Sequence, residues 1–309
     1  MTHRLDLPPL GLGTAALGDL YRQAPEEEAV ATIRAAVAAG ITYLDTAPHY
    51  ALGVAERRLG TALAGIDRDA VVVSTKVGRL LVPSEEQPGW LPALRRVWDF
   101  SADGVRRSLA GSLERLQLDR VDVAYLHDPE GHLDQAVEEG LPALCDLRDE
   151  GVVRAIGVGT GDAAAAVRLV RTGALDLVLL AGRYTLLDRS AADELLPACL
   201  DHEVTVVLGG VYNSGLLADP SAGARFDYRP APPELLARAR ALADLCERHG
   251  TSLRAAALQF PLRHPAVGCI LLGSGDRAQL ADSLEQLAAP VPVELWSDLD
   301  AQEAPPVLP

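Results

Sequence analysis

Short apolar runs alternate along this chain with longer segments in which apolar residues recur every third or fourth position. The short runs are apolar on both faces, which is typical of strands in a parallel sheet that helices cover. The longer segments, such as 30–37 and 105–116, place their apolar residues on one face of a helix, and Ser101 is suited to cap the second of them. We predict eight strands, at residues 10–15, 43–47, 71–76, 122–127, 155–159, 177–181, 205–209 and 269–273.

Strand and helix segments follow one another without an interior linker. Eight such units predict a closed parallel sheet, a (β/α)8 TIM barrel with its active site at the C-terminal mouth. The alternative is a doubly wound open sheet, but no GxGxxG fingerprint follows the first strand, and we interpret Gly11-Leu12-Gly13 as a turn. We expect one domain over residues 1–309, long loops over the active site at 83–98 and 212–233, and a flexible tail at 301–309.

The overall composition narrows the class of protein. With 309 residues, 49% of them hydrophobic, the chain can bury a large core. The formal net charge of -15 argues against nucleic acid and favours small molecules as partners, because few cations are available to neutralise phosphates. The four cysteines lack zinc-ligand spacing, and no apolar run suits a signal peptide or a membrane span. We therefore expect a cytoplasmic protein without a metal site, monomeric or weakly oligomeric.

Lys76 is the only lysine of the chain, since every other one of the 28 basic residues is arginine. An ammonium can change its pKa when it is buried, whereas a guanidinium stays charged. Lys76 also ends a predicted strand, and in parallel α/β proteins the chemistry lies at that end. The alternative is that coding bias left one lysine by chance. We interpret the position as functional.

Three further polar residues lie at or just beyond predicted strand ends. Asp45 lies near the end of the second strand, Tyr50 follows it, and His127 ends the fourth. In a barrel these residues converge with Lys76 at the mouth. A tyrosine has a free pKa of about 10, and a neighbouring ammonium lowers that value. Taken one at a time, Asp45 could cap a turn, Tyr50 could lie on the surface and His127 could be a buried structural histidine.

The sequence resembles the aldo-keto reductase superfamily from residue 10 to about residue 287. The resemblance rests on GITYLDTA at 40–47 followed by Tyr50, on STK at 74–76, and on DRVD at 119–122 leading to Leu126-His127. It implies a nicotinamide-dependent oxidoreductase with a catalytic tetrad. In that tetrad Tyr50 is the proton donor or acceptor, Lys76 and Asp45 tune it, and His127 orients the substrate.

Finer features are similar to the L-fucose dehydrogenase or D-threo-aldose 1-dehydrogenase group, whose members oxidise the anomeric hydroxyl of a sugar to a lactone. They are RVWDFS at 96–101, HDP at 127–129, AGRYTLL at 181–187 and GGVYNSG at 209–215. Aromatic faces pack against sugar C–H surfaces, although loop aromatics also serve as packing anchors. We therefore name four candidate substrate-binding residues: His49, Trp98, Asp128 and Tyr184.

The cofactor-binding pattern departs from the superfamily. Gly-Thr-Gly-Asp at 159–162 stands where many members carry a Ser-Asn pair, Ala181 replaces a glutamine, and Gly209 replaces the aromatic that stacks on the nicotinamide. A glycine-rich turn that opens a helix near residue 275 suits an anion. The candidate cofactor-binding residues are Thr160, Asp162, Gly209, Ser214, Gly215, Leu216, Gly273, Ser274, Gly275, Asp276, Arg277 and Gln279.

We expect NAD to be preferred, with NADP possible. A 2′-phosphate needs cations at the adenosine end, and Gly273, Gly275 and Gln279 stand where NADP-preferring relatives carry basic residues. Asp276 is suited to ribose hydroxyls and repels a phosphate, whereas Arg277 is the residue that a shift of the turn could aim at one.

Several other functions remain open at this stage. On the same fold, the chain could be an NADPH-dependent aldehyde or ketone reductase or a pyridoxal-type alcohol dehydrogenase. Lys76 would also suit a Schiff-base aldolase, and a non-catalytic cofactor-binding regulator is a further possibility. The intact tetrad favours the oxidoreductase.

Overall fold

The computed structural model describes residues 5, 7–18, 25–85 and 91–301. The strands are β1 (Leu10–Gly13), β2 (Tyr43–Asp45), β3 (Val72–Val77), β4 (Arg79–Pro83), β5 (Leu94–Trp98), β6 (Val123–His127), β7 (Ala155–Thr160), β8 (Leu177–Ala181), β9 (Thr205–Gly209), β10 (Arg225–Phe226), β11 (Arg229–Pro230) and β12 (Val267–Gly273). Eight parallel strands close into a barrel in the order β1-β12-β9-β8-β7-β6-β3-β2, and two antiparallel pairs, β4 with β5 and β10 with β11, stand outside it.

Helices surround the barrel. They are α1 (Glu26–Ala38), α2 (Val54–Leu63), α3 (Ala102–Leu116), α4 (Leu133–Gln135), α5 (Leu141–Asp149), α6 (Ala163–Val170), α7 (Leu195–Asp201), α8 (Pro233–Arg248), α9 (Leu253–Gln259), α10 (Arg277–Ala288) and α11 (Val293–Asp300). A π-helical turn, Ala136–Gly140, joins α4 to α5. Ser101 caps α3 as predicted, since its side chain accepts a hydrogen bond from the Gly104 amide at 3.0 Å.

Buried apolar residues form three clusters. The largest lies between the barrel and its helices, and a second lies among α8, α9 and α11. The third fills the barrel interior and includes Tyr43, Tyr125, Leu179 and Leu271. Side chains thus pack the centre of the barrel, and the mouth at the carboxyl ends of the strands remains for function.

All eight predicted barrel strands are present, with ends that differ by no more than a few residues, so the predicted barrel is confirmed. Two expectations were wrong in detail. The glycines of Gly11-Leu12-Gly13 lie inside β1 and make no turn; a Cβ on Gly11 would come within 2.8 Å of the Tyr43 ring, so a close approach explains that glycine. The insertions at 83–98 and 212–233 contain strands, because the first includes β5 and the last residue of β4, and the second includes the whole β10–β11 pair.

The cysteines are free, with Cys199, Cys246 and Cys269 buried and Cys145 half-buried. Among the residues that the structure describes, no helix combines the length and the apolar character that crossing a membrane requires. Of the expected tail, residues 302–309 lie outside the described part of the chain.

Candidate active site at the mouth of the barrel

Neighbouring strands of the barrel carry three of the four tetrad residues. Asp45 is the last residue of β2, Lys76 lies on β3, and His127 is the last residue of β6. Both β2 and β6 pair with β3, so the three side chains converge at the mouth. Tyr50 begins the short 3-10 helix that follows β2. The structure therefore brings all four predicted residues together.

Lys76 is the centre of this group. Its ammonium donates to Asp45 Oδ2 at 2.7 Å, to the carbonyl oxygen of Thr46 at 2.9 Å and to the Tyr50 hydroxyl at 3.1 Å. These bonds use all three protons of an ammonium. The side chain is only 2% exposed, and its aliphatic stem packs beside Gly159 on β7, where a Cβ would lie 3.4 Å from Lys76 Cε. The lysine is held as a buried, fully satisfied cation.

The backbone directly after Tyr50 is strained. Ala51 and Leu52 both adopt left-handed conformations, with φ of 49° and 53°, and Gly53 follows at φ of 85° before α2 begins. A left-handed non-glycine residue costs on the order of 1 kcal/mol or more. This sharp reversal leads the chain from Tyr50 into α2, and the Tyr50 hydroxyl before it accepts from the Lys76 ammonium.

Burial and charge oppose each other in the Asp45, Lys76 and Tyr50 group. Burial raises the pKa of the Asp45 carboxyl, while Lys76 and Ser74 limit that rise. Burial works against the Lys76 ammonium, but the Asp45 carboxylate and Tyr50 outweigh it and raise the pKa of the amine. Burial also raises the pKa of Tyr50 to about 12, although Lys76 acts in the opposite direction. The expected lowering of the phenol pKa by the ammonium is therefore present, but burial exceeds it.

His127 is a neutral imidazole in this setting. Its ring centroid lies 6.2 Å from that of Tyr50, and the ring is buried. Burial lowers its pKa well below the usual value, and the cations of Arg79 and Lys76 lower it further. A neutral imidazole carries one N–H donor, which can hydrogen-bond an oxygen atom beside the tyrosine hydroxyl.

Arg79 is a site residue that sequence reasoning missed. It forms an ion pair with Asp128, and its guanidinium donates to His49 Nδ1 at 2.8 Å and lies 4.2 Å from the centre of the Trp98 ring. Arg96 also contacts His49, with a guanidinium nitrogen 3.0 Å from Nδ1 and 3.2 Å from Nε2. Burial and these two arginines lower the pKa of His49 to about 3, so His49 is a neutral acceptor. Little in the sequence distinguished Arg79, because arginine is common along the chain. Its position three residues after Lys76 was the available clue.

The predicted aromatic residues have different surroundings. Trp98 is 43% exposed and lies beside His132, with ring centroids 5.5 Å apart. Tyr184 packs against Phe260 and His264, at 5.2 and 5.5 Å between ring centroids. His49, Trp98 and Asp128 thus surround one guanidinium, whereas Tyr184 has the environment of a packing residue.

Tyr228 is a second residue that the sequence did not single out. It follows Asp227 at the tip of the β10–β11 pair, and both have positive φ. The residue is 59% exposed, yet its partial burial raises the pKa of Tyr228, and the nearby carboxylates of Asp227 and Asp128 raise it further. Arg183 donates to Asp227 Oδ2 at 2.8 Å. This ion pair holds the tip beside the mouth.

Two predicted cofactor residues follow the fifth barrel strand. Thr160 ends β7, where its hydroxyl donates to Glu130 and accepts from the Asp162 amide at 2.9 Å. Asp162 caps α6 by accepting from the Ala165 amide at 2.9 Å. The Thr160 and Asp162 side chains therefore both form local hydrogen bonds, and Glu130 belongs to the same group because it accepts from Thr160.

The predicted residues after the seventh barrel strand form a second group. Gly209 ends β9, and its carbonyl accepts from Gly182. The Ser214 hydroxyl accepts from the Tyr228 amide at 3.0 Å, and Gly215 has φ of 97°, a conformation that favours glycine. Leu216 is fully buried in the cluster among α8, α9 and α11, which leaves only its backbone for contact with a ligand.

The third group opens α10. Asp276 caps this helix by accepting from the Gln279 amide at 2.9 Å, and Gln279 Oε1 accepts from the Gly275 amide at 2.9 Å. Arg277 is the first residue of the helix. The Asp276 carboxylate therefore lies at the helix N-terminus, where its negative charge is favourable to the helix dipole.

The residues next to this turn fit a nicotinamide dinucleotide. Ser274 is fully buried, and within the described ranges its hydroxyl has no hydrogen-bond partner. A Cβ on the preceding residue, Gly273, would meet nothing within 4 Å, so open space borders the backbone there. An unsatisfied hydroxyl donor close to the N-terminus of α10 suits a pyrophosphate or ribose oxygen.

Comparison with known proteins agrees with this geometry. The family model described as Aldo/keto reductase family matches residues 9–304. The chain is 47% identical to a D-threo-aldose 1-dehydrogenase of a Pseudomonas species over 96% of this chain and 94% of that protein. It is 37% identical to a pyridoxal 4-dehydrogenase of Microbacterium luteolum, again over 96% and 94%. The holo form of an aldo-keto reductase from Bacillus halodurans superposes with a TM-score of 0.78 at 27% identity, over 94% of this chain and 91% of that one.

Proposed function

Because the chain belongs to the aldo/keto reductase family and is a nicotinamide-dependent oxidoreductase, we propose that it oxidises the anomeric hydroxyl of an aldose to a lactone. The observation that carries this proposal is the Lys76 ammonium, which donates to both Asp45 and Tyr50 at the mouth of the barrel. A tyrosine hydroxyl held in this way can exchange a proton with a substrate oxygen.

In the proposed reaction, the deprotonated Tyr50 oxygen takes the proton of the anomeric hydroxyl. A nicotinamide cofactor, held in part by Ser274 and the residues that open α10, would supply the hydride acceptor for C1. Lys76 holds Tyr50 in place and stabilises its phenolate. Asp45 keeps Lys76 charged, and His127 donates a hydrogen bond to the oxygen that becomes the lactone carbonyl. In the reverse direction, the protonated Tyr50 is the proton donor.

The same contacts argue against a Schiff-base aldolase. An amine must lose its proton to attack a carbonyl group. The Asp45 carboxylate and Tyr50 raise the pKa of the Lys76 amine against the effect of burial, and all three of its protons are engaged. We therefore expect that borohydride will trap no substrate adduct on Lys76.

The polar residues beside Tyr50 favour a sugar over a simple aldehyde. Arg79 and Asp128 supply donors and acceptors for adjacent hydroxyl groups, and His49 supplies a neutral ring nitrogen. Trp98 adds an aromatic side chain that is 43% exposed, and aromatic rings pack against sugar C–H bonds. The name of the 47% identical relative, D-threo-aldose 1-dehydrogenase, supports the same class of substrate.

A substrate panel tests this proposal. L-Fucose, D-arabinose and L-galactose are to be assayed for oxidation, with aliphatic and aromatic aldehydes assayed for reduction and a pyridoxal-type alcohol for oxidation. We expect NADH to form with aldoses at a higher kcat/KM than with the pyridoxal-type alcohol. Vigorous reduction of simple aldehydes without oxidation of any aldose would refute the proposal in favour of a carbonyl reductase.

The proposed cofactor is NAD. Asp276 places a carboxylate at the start of α10, and Gly275 and Gln279 bond to each other there without adding a positive charge. A 2′-phosphate needs cations or many donors. The assay compares kcat/KM for NAD and NADP on one sugar. A clear NADP preference that Arg277→Ala removes would contradict this choice.

A further inference from the structure

The barrel interior contains a row of buried hydroxyl groups that leads to the tetrad. The Tyr125 and Tyr43 hydroxyl oxygens lie 2.9 Å apart, Tyr43 donates to Ser74 Oγ at 3.1 Å, and Ser74 donates to Asp45 Oδ1 at 2.7 Å. Tyr43, Ser74 and Tyr125 are each 0% exposed. The other carboxylate oxygen of Asp45 accepts from Lys76.

We propose that Ser74, Tyr43 and Tyr125 are positioning residues whose hydroxyl groups form a one-way chain of hydrogen bonds that keeps Asp45 ionised and aimed at Lys76. The proposal rests on the proposed function, in which Asp45 keeps Lys76 charged and Lys76 holds Tyr50 in place. It concerns the support of that site from inside the barrel, and not its contacts with substrate.

The charge of Asp45 fixes the direction of the chain. An ionised carboxylate can only accept, so the single Ser74 proton points to Asp45. Ser74 must then accept from Tyr43, and Tyr43, whose proton is used, must accept from Tyr125. Burial raises the pKa of both tyrosines well above the usual value, so both remain donors. Hydrogen bonds aligned in one direction polarise and strengthen one another.

The chain is a support and not an exit path for protons. Its far member, Tyr125, is fully buried in the barrel interior with Leu179 and Leu271. A proton passed along it would reach no solvent. The hydroxyl groups therefore act on the charge and orientation of Asp45.

Two glycines make room for the tyrosine rings. A Cβ on Gly11 would lie 2.8 Å from Tyr43 Cδ1, and a Cβ on Gly157 would lie 2.7 Å from Tyr125 Cδ1. Real Cβ atoms do not approach so closely without a shift of their neighbours. Both rings are thus fitted at fixed depths in the barrel, which sets the positions of their hydroxyl groups.

The titratable groups around Asp45 come from several elements. Lys76 lies on β3, Tyr43 on its own strand and Tyr125 on β6, while Cys269 on β12 and Tyr50 beyond β2 also interact with its charge. Of these groups, only Lys76 is a cation. A donor to the carboxylate favours its charged form, so loss of the Ser74 bond should raise the pKa of Asp45.

The single lysine allows a direct test that needs no substrate. In protein labelled at the lysine ε-carbon, one NMR signal reports Lys76, and it should shift when Asp45 takes up a proton on acidification. We expect this step at higher pH in Ser74→Ala than in the parent protein, with a smaller movement in Tyr43→Phe and the smallest in Tyr125→Phe. Tyr43→Phe keeps the ring in the core, so it tests the chain even if Ser74→Ala folds poorly.

Ser108→Ala is the matched control. Ser108 is a buried serine of α3 whose hydroxyl has no hydrogen-bond partner within the described residues, so its loss should leave the step and kcat unchanged. In Ser74→Ala we expect kcat to fall roughly tenfold, as for a lost bond to a charged group, with cofactor affinity unchanged.

The proposal would be overturned if the Lys76 signal shifted at the same pH in folded Ser74→Ala and Tyr43→Phe as in the parent protein. Equal effects in Ser108→Ala would also overturn it. Failure of the proposed function is separate, because a protein that oxidises no aldose would still show the Lys76 step and its movement.

Discussion

The two ends of the barrel each bury an aspartate beside a cation. At the mouth, Asp45 accepts from Lys76 at 2.7 Å. At the opposite end, Asp122 lies just before β6 and accepts from Arg68 at 2.7 Å and from the Val73 amide at 2.8 Å. The two carboxylate side chains are 3% and 4% exposed. Burial and distance alone therefore do not separate the proposed catalytic ion pair from a structural one.

The two ion pairs differ in the other groups to which their residues bond. Asp122 and Arg68 bond to backbone groups, including the carbonyl oxygens of Val71 and Arg120, so their bonds join β6 to β3 at the foot of the barrel. Lys76 donates instead to a tyrosine hydroxyl, which can exchange a proton. An ion pair becomes useful for catalysis when one partner also holds a titratable group that substrate can reach.

The largest expected effect is that of Tyr50→Phe. Removing the hydroxyl should lower kcat/KM for aldose oxidation by about 10³- to 10⁴-fold, because it removes the proton acceptor. The ring and its packing remain, so thermal stability and NAD affinity should stay close to those of the parent protein. Near-normal turnover, measured as NADH formation, would show that Tyr50 does not transfer the proton.

Removing the cation at each end of the barrel in turn tests this difference directly. Lys76→Met leaves Asp45 buried without its cation and should cost about 3–5 kcal/mol of unfolding free energy, with loss of turnover. Arg68→Met should cost about 1–3 kcal/mol, because Asp122 keeps the Val73 amide and Arg154.

Arg68→Met should also keep kcat within about twofold of the parent value, since no bond links Arg68 to Tyr50. Denaturant unfolding and kcat are to be measured on both variants. If Arg68→Met lost turnover while remaining folded, the proposed division between the two ends would fail.

The pH dependence sharpens the role of Tyr50. Burial raises the pKa of this hydroxyl to about 12, so the phenolate is a minor species near neutral pH, and its fraction grows as the pH rises toward that value. We expect kcat/KM for oxidation to increase between about pH 7 and about pH 10, whereas reduction, which needs the protonated form, should not increase. Initial rates in both directions provide the check. A flat oxidation profile in this range, with chemistry shown to limit the rate, would contradict the assignment.

The smallest effect is expected at the start of α10. Arg277→Ala should change kcat/KM for NAD by less than about twofold, because Asp276 and Gln279 form the bonds of that turn. NADP should remain the poorer cofactor in both proteins. A loss of NADP use alone in Arg277→Ala would show that the guanidinium contacts a 2′-phosphate.

Local patterns were enough to predict the barrel strands and the grouping of Asp45, Tyr50, Lys76 and His127, because parallel strands bring their carboxyl ends to one edge. They were not enough for Arg79, since its contact with Asp128 joins residues 49 positions apart. The hairpins at 79–98 and 225–230 were also missed, because short antiparallel strands outside the barrel carry no strong apolar alternation.

The sequence by itself determined the fold class and the types of residue at the strand ends, because both follow from apolar periodicity and chain order. Only the tertiary structure decided which hydroxyl groups meet inside the barrel, as Tyr43 and Tyr125 do from positions 82 residues apart. A two-residue period indicates which side of a strand is buried, but not the depth at which a neighbouring strand places its own side chains. Strand register sets that depth, and closure of the barrel fixes the register.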